Sequence, residues 1–267
     1  MLKIIVCIFS CIFTIAHTPA QVQGVSASKL ATADAETVAS KTLEFEPSFS
    51  VFWSKRYWNA DREKMPLFEG NDSVKVLSEF GFRSTYGISD KMEAGTYLPD
   101  DMSYIILGTK IKIFDREKIG IALLAGSTIM IGNAVMLKNG HDYKNLNNLS
   151  IGLTGSFNRE KNFSVDVNSQ ICKYIKGEKY NHKYDYFLNT DFGYYIHKDI
   201  QLIAGINYAL NRFNSTTMNH DHLFLNLGTT IETARHFIIV INSPLCITGR
   251  NEDCMLGFAY ALTIIFD

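Results

Sequence analysis

Residues 184–211, YDYFLNTDFGYYIHKDIQLIAGINYALN, alternate in side-chain character on both sides of a short polar turn at 197–199. Tyr186, Leu188, Thr190, Phe192, Tyr194 and Ile196 share one face of the first run. Asp185, Phe187, Asn189, Asp191, Gly193 and Tyr195 share the other. After the turn, Ile200, Leu202, Ala204, Ile206, Tyr208 and Leu210 alternate with Gln201, Ile203, Gly205, Asn207, Ala209 and Asn211. A period of two is the strand period. Each run is long for a strand in water and matches the ~9–11 residues of a tilted membrane-crossing strand.

The unit recurs. Strand patterns occupy 44–57, 73–86, 92–98, 104–114, 119–131, 149–157, 163–175, 184–196, 200–211, 223–231, 237–243 and 255–266. That makes about twelve, an even number, as single-chain outer-membrane barrels have. The connections after even-numbered strands are short. Those after odd-numbered strands are longer, except 99–103. The expected fold is therefore all-β: a single antiparallel transmembrane β-barrel with short periplasmic turns and longer extracellular loops. Both ends of the barrel then lie at the periplasmic rim.

One face of nearly every strand is apolar, and the other carries Glu79, Arg83, Glu93, Lys110, Asp166, Asn168, Asp191, Asn207 and Asn226. A dry soluble core could not hold so many charges. The apolar face therefore points outward into lipid and the charged face into the lumen. Tyr86, Phe157, Phe163, Tyr194, Phe237 and Phe266 gather near the turns, where an interfacial girdle belongs. The final strand ends with its aromatic at Phe266, the kind of terminus that outer-membrane insertion machinery reads, although Asp267 follows it.

Ahead of the barrel, Lys3 and the apolar run 4–16 read as a signal peptide over 1–20, with small residues at the cleavage point near Ala20. Residues 21–43 are small and polar and read as a periplasmic linker, a disordered leader rather than a plug. The barrel domain is then 44–267. With 46% hydrophobic residues and a net charge of −1, the chain has no basic block, which excludes nucleic acid as a partner.

Residues 86–99, YGISDKMEAGTYLP, resemble the outer-membrane transporter family named for the MetA pathway of phenol degradation. The likeness rests on Tyr86, Gly87, Ile88, Ser89, Asp90, Glu93 and Gly95. It implies a barrel and passage of small molecules; outside these fourteen or so residues it is barrel-like alternation alone. Read from the residues themselves, the stretch is a tight hairpin with Ser89 and Asp90 as turn formers.

No catalytic pattern is present. Barrel phospholipases need His-x-Ser on one strand and omptin-like proteases need Asp-x-Asp and Asp-x-His; none occurs. His220 and His222 are the best metal candidates, with His141, Asp142 and His182 in other loops, but a two-residue spacing more often marks solvated loop histidines. The chain calls for no cofactor. Seven inward charges, Glu79, Arg83, Glu93, Lys110, Lys112, Asp166 and Asp191, are the lumen candidates: they either set selectivity or pair with one another to fill a narrow barrel. Cys246 and Cys254 bracket the loop ITGRNED between the last two strands and would form a disulfide after export, leaving Cys172 free.

The functional expectation is a channel passing a small-molecule solute. The alternative is a non-transporting barrel whose loops 58–72, 133–147 and 213–222 bind a surface partner. The topology is directly testable: cysteines placed in 133–147 label from outside intact cells, and cysteines placed in 115–118 do not. Labelling of both from outside would rule out the arrangement.

Overall fold

The computed structural model describes residues 22, 24–26, 30, 32–69, 73–131, 137–138, 141–142, 147–157, 162–175, 182–214, 219–234 and 236–267. The expected signal peptide lies outside the described residues, as does most of loop 133–147.

The described chain is built of strands: β1 Leu43–Ser54, β2 Arg56–Trp58, β3 Lys64–Pro66, β4 Lys75–Ser89, β5 Met92–Pro99, β6 Tyr104–Arg116, β7 Ile119–Met130, β8 Leu137–Lys138, β9 His141–Asp142, β10 Asn148–Phe157, β11 Phe163–Tyr174, β12 His182–His197, β13 Ile200–Phe213, β14 His220–Ala234, β15 Phe237–Arg250, β16 Glu252–Asp253 and β17 Leu256–Phe266. Twelve of them form a closed antiparallel barrel in the order β1-β17-β15-β14-β13-β12-β11-β10-β7-β6-β5-β4. The first strand pairs with the last, Phe49 opposite Tyr260, so no edge is left unpaired. The hairpin at 184–211 is β12 and β13, with Asn189 opposite Asn207 and Asp191 opposite Gly205.

The alternation sorts side chains as the sequence requires. Ile151, Leu202, Ile206 and Leu227 are about half exposed on the outside, and all six girdle aromatics are exposed. Arg83, Glu93, Lys110, Asp166, Asn168, Asp191 and Asn226 are buried on the inside. An apolar exterior around a charged interior is the inverse of a soluble barrel and belongs in a bilayer.

Two expectations change. The region 244–254 is not a plain loop: β15 runs on to Arg250, the chain turns at Asn251 with φ 52°, and β16 then pairs with β2. Together β16, β2 and β3 make a small sheet at the end of the barrel that carries the long connections. This alters the expected disulfide. Cys246 donates its backbone N–H to Met255 O, whereas Cys254 donates to Arg56 O in the small sheet. The two residues are one step out of register, drawn to different ladders, and both are free thiols. Cys172 is free as well, and buried inside against Phe187 and Ala209.

The second change concerns 21–43. Its described residues are not a leader outside the barrel. Val22, Val25, Ser26, Thr32, Ala33, Ala35 and Val38 are all buried, and they hydrogen-bond to inward-facing wall residues. The segment runs through the lumen. A polar lumen wall offers hydrogen-bonding groups that a small-residue chain can satisfy, which is why the linker reading fails.

The face assignment gives a paired test. Ile206→Arg places a charge on the lipid face and costs about 2–4 kcal/mol if near the midplane. Asn207→Arg, one residue along, points into the lumen and costs far less. Folding yields in lipid vesicles compare the two, and equal yields would contradict the assignment.

Candidate functional site

The site is the lumen wall together with the segment that crosses it. Segment 22–42 enters at the short-turn rim, where it joins β1. Lys41 N–H donates to Gly87 O (2.8 Å) and Gly87 N–H donates to Thr42 O (3.0 Å). Thr37 Oγ1 donates to Asp90 O (2.9 Å). Deeper in, Ala35 N–H donates to Ser156 Oγ (2.8 Å), and Thr154 Oγ1 donates to Ala33 O. At the opposite wall, the backbone N–H groups of Leu30 and Thr32 both reach Asp191 Oδ2, at 3.1 and 3.2 Å. The chain then returns to β4–β6 and finally crosses to β11, where Val22 N–H donates to Gln170 Oε1 (2.7 Å).

The centre of this arrangement is a fully buried ion pair. Glu93 on β5 and Lys110 on β6 are cross-strand neighbours, both 0% exposed, with Lys110 Nζ 3.4 Å from Glu93 Oε1. Neither charge is satisfied by the other alone. Glu93 also accepts from Ser26 N–H and Val38 N–H, both at 2.7 Å, and from Ser26 Oγ. Lys110 donates to Ser26 O (3.0 Å), Ser26 Oγ (2.7 Å) and Asp34 Oδ1 (3.2 Å). Two charges taken out of water need this many partners. The segment supplies them.

Around the pair, Arg83 on β4 donates to Val25 O (2.8 Å) while its other side pairs with Glu46 (2.7 Å) and Glu44 (3.5 Å). Thr85 Oγ1 donates to Gly24 O (2.9 Å). Lys112 pairs with Glu36 of the segment (2.8 Å) and with Asp115 (3.3 Å). Of the seven lumen candidates, Arg83, Glu93, Lys110, Lys112 and Asp191 thus hold the segment. Asp166 lies opposite Asp191 in the β11–β12 register. Glu79 instead accepts from Tyr97 OH (2.9 Å).

His220 and His222 part company: His220 Nδ1 lies 2.7 Å from Asn251 O, and the His222 ring meets Phe224 edge-on. Among the described residues no group of three or more His, Cys, Asp or Glu is placed to hold a metal. The side chains of His141, Asp142 and His182 lie outside the described residues.

The stretch 86–99 gains a physical reading. Gly87, Asp90, Glu93 and Gly95 all touch the segment. A Cβ on Gly87 would collide with Ala39 O and Val38 O, and one on Gly95 with Gly24 O. Glycine is needed at these two positions because a second backbone lies directly against them. The hairpin is a docking surface as well as a turn. Its glutamate and its two glycines were visible in the sequence; the peptide they receive was not.

No protein-family model matches the chain, and no curated relative does. Solved structures do resemble it in fold. The COG4313 outer membrane channel from Pseudomonas putida F1 aligns over 89% of this chain and 100% of its own, with a TM-score of 0.69 at 8% identity. The KdgM porin aligns over 85% and 99%, with a TM-score of 0.51 at 9% identity. The NanC porin aligns over 82% and 99%, with a TM-score of 0.50 at 7% identity. At these identities the likeness is one of fold.

Gly87→Val tests the docking. The substitution clashes with the segment and leaves the barrel ladder intact, so the segment is released while the barrel stays folded. Protease digestion of the purified protein in lipid would then remove residues before the barrel much faster than in wild type. Unchanged digestion in a folded variant would contradict the seating.

Proposed function

We propose that the protein is an outer-membrane channel for a small solute and that its own N-terminal segment closes the lumen. The observation that carries this reading is how the segment is held. Its contacts with the wall are mainly hydrogen bonds from backbone groups, with one small apolar patch where Val22, Val25 and Ala33 meet Leu124. Water can replace hydrogen bonds of this kind at a net cost of roughly 0.5–1.5 kcal/mol each between neutral groups and about 1.5–3 kcal/mol where Glu93, Lys110, Arg83 or Asp191 takes part. A permanent core would be built from apolar packing instead.

Once the segment leaves, Arg83, Glu93, Lys110, Lys112, Asp166 and Asp191 line a water-filled path, and their charges act on a passing solute through a weakly screened field. The barrel resemblance to known channels and porins supports this reading, and so does the likeness of 86–99 to transporters named for the MetA pathway. Placement in the outer membrane follows from the same barrel; lipid around it and insertion machinery as its assembly partner belong to the proposal. A non-transporting barrel with partner-binding loops is the alternative; the small β16-β2-β3 sheet at the mouth is the observation in its favour.

Planar-bilayer recording separates the readings. Wild type conducts weakly, and deletion of residues 22–38 raises single-channel conductance several-fold. Arg83→Glu removes the bond to Val25 O and leaves acids at 44, 46, 83 and 93 together. It should raise open probability and shift ion preference toward cations, with Arg83→Gln doing so less. A deletion protein that folds and does not conduct would sink the channel reading.

A further inference from the structure

At the end of the barrel that carries the long connections, the outer face changes character. Along β13 the outward positions run Leu202, Ala204, Ile206, Tyr208, Leu210 and then Arg212. Tyr208 lies opposite Leu223 and Leu210 opposite Asp221, and Asp221 in turn lies opposite Arg250 on β15. Residues directly opposite one another share a face, so Asp221 and Arg250 also point outward. Arg62, between β2 and β3, reaches over to the same place, with Nη2 2.7 Å from Asp221 Oδ1. Arginines from three separate parts of the chain therefore meet outside the barrel wall. The groups whose charge reaches the Tyr208 hydroxyl are Asp221 and these three, Arg62, Arg212 and Arg250.

The one acid of the cluster is spent. Asp221 is 5% exposed, held by Arg62 and 3.8 Å from Arg250 Nε. Glu63, next to Arg62, turns back to Asn59 Nδ2 (3.1 Å). Arg212 forms no ion pair among the described residues. The side chains of Arg62 and Arg250 stay 39% and 34% exposed. Three cations around one covered anion leave an accessible positive excess, and holding Asp221 does not require Arg212.

The height of the cluster fits one layer of the membrane. From Ile200 to Arg212 the strand runs about 40 Å at roughly 3.3 Å per residue, and a tilt of about 40° leaves roughly 30 Å along the membrane normal. The apolar band of an outer-membrane barrel is about 25 Å tall. Below the arginines, Ile206, Leu227 and Ile247 are about half exposed on the lipid face. The cluster thus stands just past the hydrocarbon, at the headgroups of the outer leaflet.

We propose that Arg62, Arg212 and Arg250 bind a phosphate of an outer-leaflet glycolipid, the acylated diphosphoryl disaccharide that anchors lipopolysaccharide. The guanidinium fork matches phosphate oxygens in geometry and charge. The acyl chains lie along the apolar outer face, and Tyr208 and Tyr184, the latter opposite Arg212, stand at the level of the sugars. The site ties the β2–β3 connection, β13 and β15 to one lipid molecule. It goes beyond the channel reading and holds whether or not the lumen conducts.

The test is native mass spectrometry of the protein purified in nonionic detergent, with diphosphoryl lipid A, enzymatically dephosphorylated lipid A and phosphatidylglycerol added in turn. Wild type should retain one diphosphoryl lipid A, and the other two lipids about tenfold less. Arg62→Gln and Arg212→Gln should each lower that retention about tenfold, since each removes a charge-assisted contact. Arg116→Gln, at an exposed arginine beside Phe114 on the opposite rim, should leave it unchanged. Arg212→Gln breaks no ion pair within the chain and carries the test if Arg62→Gln fails to fold. Equal retention of dephosphorylated lipid A or of phosphatidylglycerol would overturn the proposal. So would an Arg212→Gln protein that retains lipid A like wild type, or an Arg116→Gln protein that loses as much, which would mark diffuse attraction to any cationic rim.

Discussion

The interior of this barrel is organised by the ion pair between Glu93 and Lys110. Both side chains are fully buried, on neighbouring strands, and each needs more partners than the other can give. An open aqueous lumen would meet that need with water. Here it is met by a peptide: the backbone N–H groups of Ser26 and Val38 and the side chains of Ser26 and Asp34 converge on the pair. The path of the segment follows. It must enter beside the hairpin that carries Glu93, and its small residues allow it to lie flat against Gly87 and Gly95. A larger side chain at either glycine would keep the backbone out of hydrogen-bond range.

The rest of the lumen repeats the same chemistry. Asp191 on the far wall takes two backbone N–H groups, Gln170 takes one, and Arg83 gives one bond to a segment carbonyl and the others to Glu44 and Glu46. Wall charges therefore bind backbone, and segment carboxylates bind wall lysines. This is an interface of hydrogen bonds with little apolar content, closer in kind to a wet protein–protein contact than to a domain core. Such a contact holds in one geometry and yields when water can enter, which suits the reversible closure we propose.

At the other end of the barrel the constraint is different. β15 and β1 lead at this end into the small sheet of β16, β2 and β3, with Trp58 packed on Phe224, Cys246 and Met255. Lys75–Asp253 and Arg62–Asp221 tie this sheet region to the barrel strands at 2.5 and 2.7 Å. The pull of this sheet on Cys254 sets the cysteines out of register. A loop of seven residues between two strands, as the sequence reads, would have brought them opposite each other.

What the sequence determined by itself is everything that depends on the period of two. Alternation at 184–211 and its repeats dictates twelve strands, their antiparallel order, the parity of short and long connections, and the face on which Leu202, Ile206 and Phe192 meet lipid while Asp191 and Asn226 turn inward. Those are local properties, because each strand declares its own faces. What only the tertiary structure decided is what the inward charges do. Five of the seven lumen candidates act on residues 22–42, a stretch rich in Ala, Ser, Thr and Val with no periodicity. The physical reason is that this segment is recognised chiefly through its backbone N–H and C=O groups, which every residue but proline carries alike. Recognition of that kind leaves almost no mark on the recognised sequence, and leaves its mark instead on the receiver, at Gly87, Glu93 and Gly95.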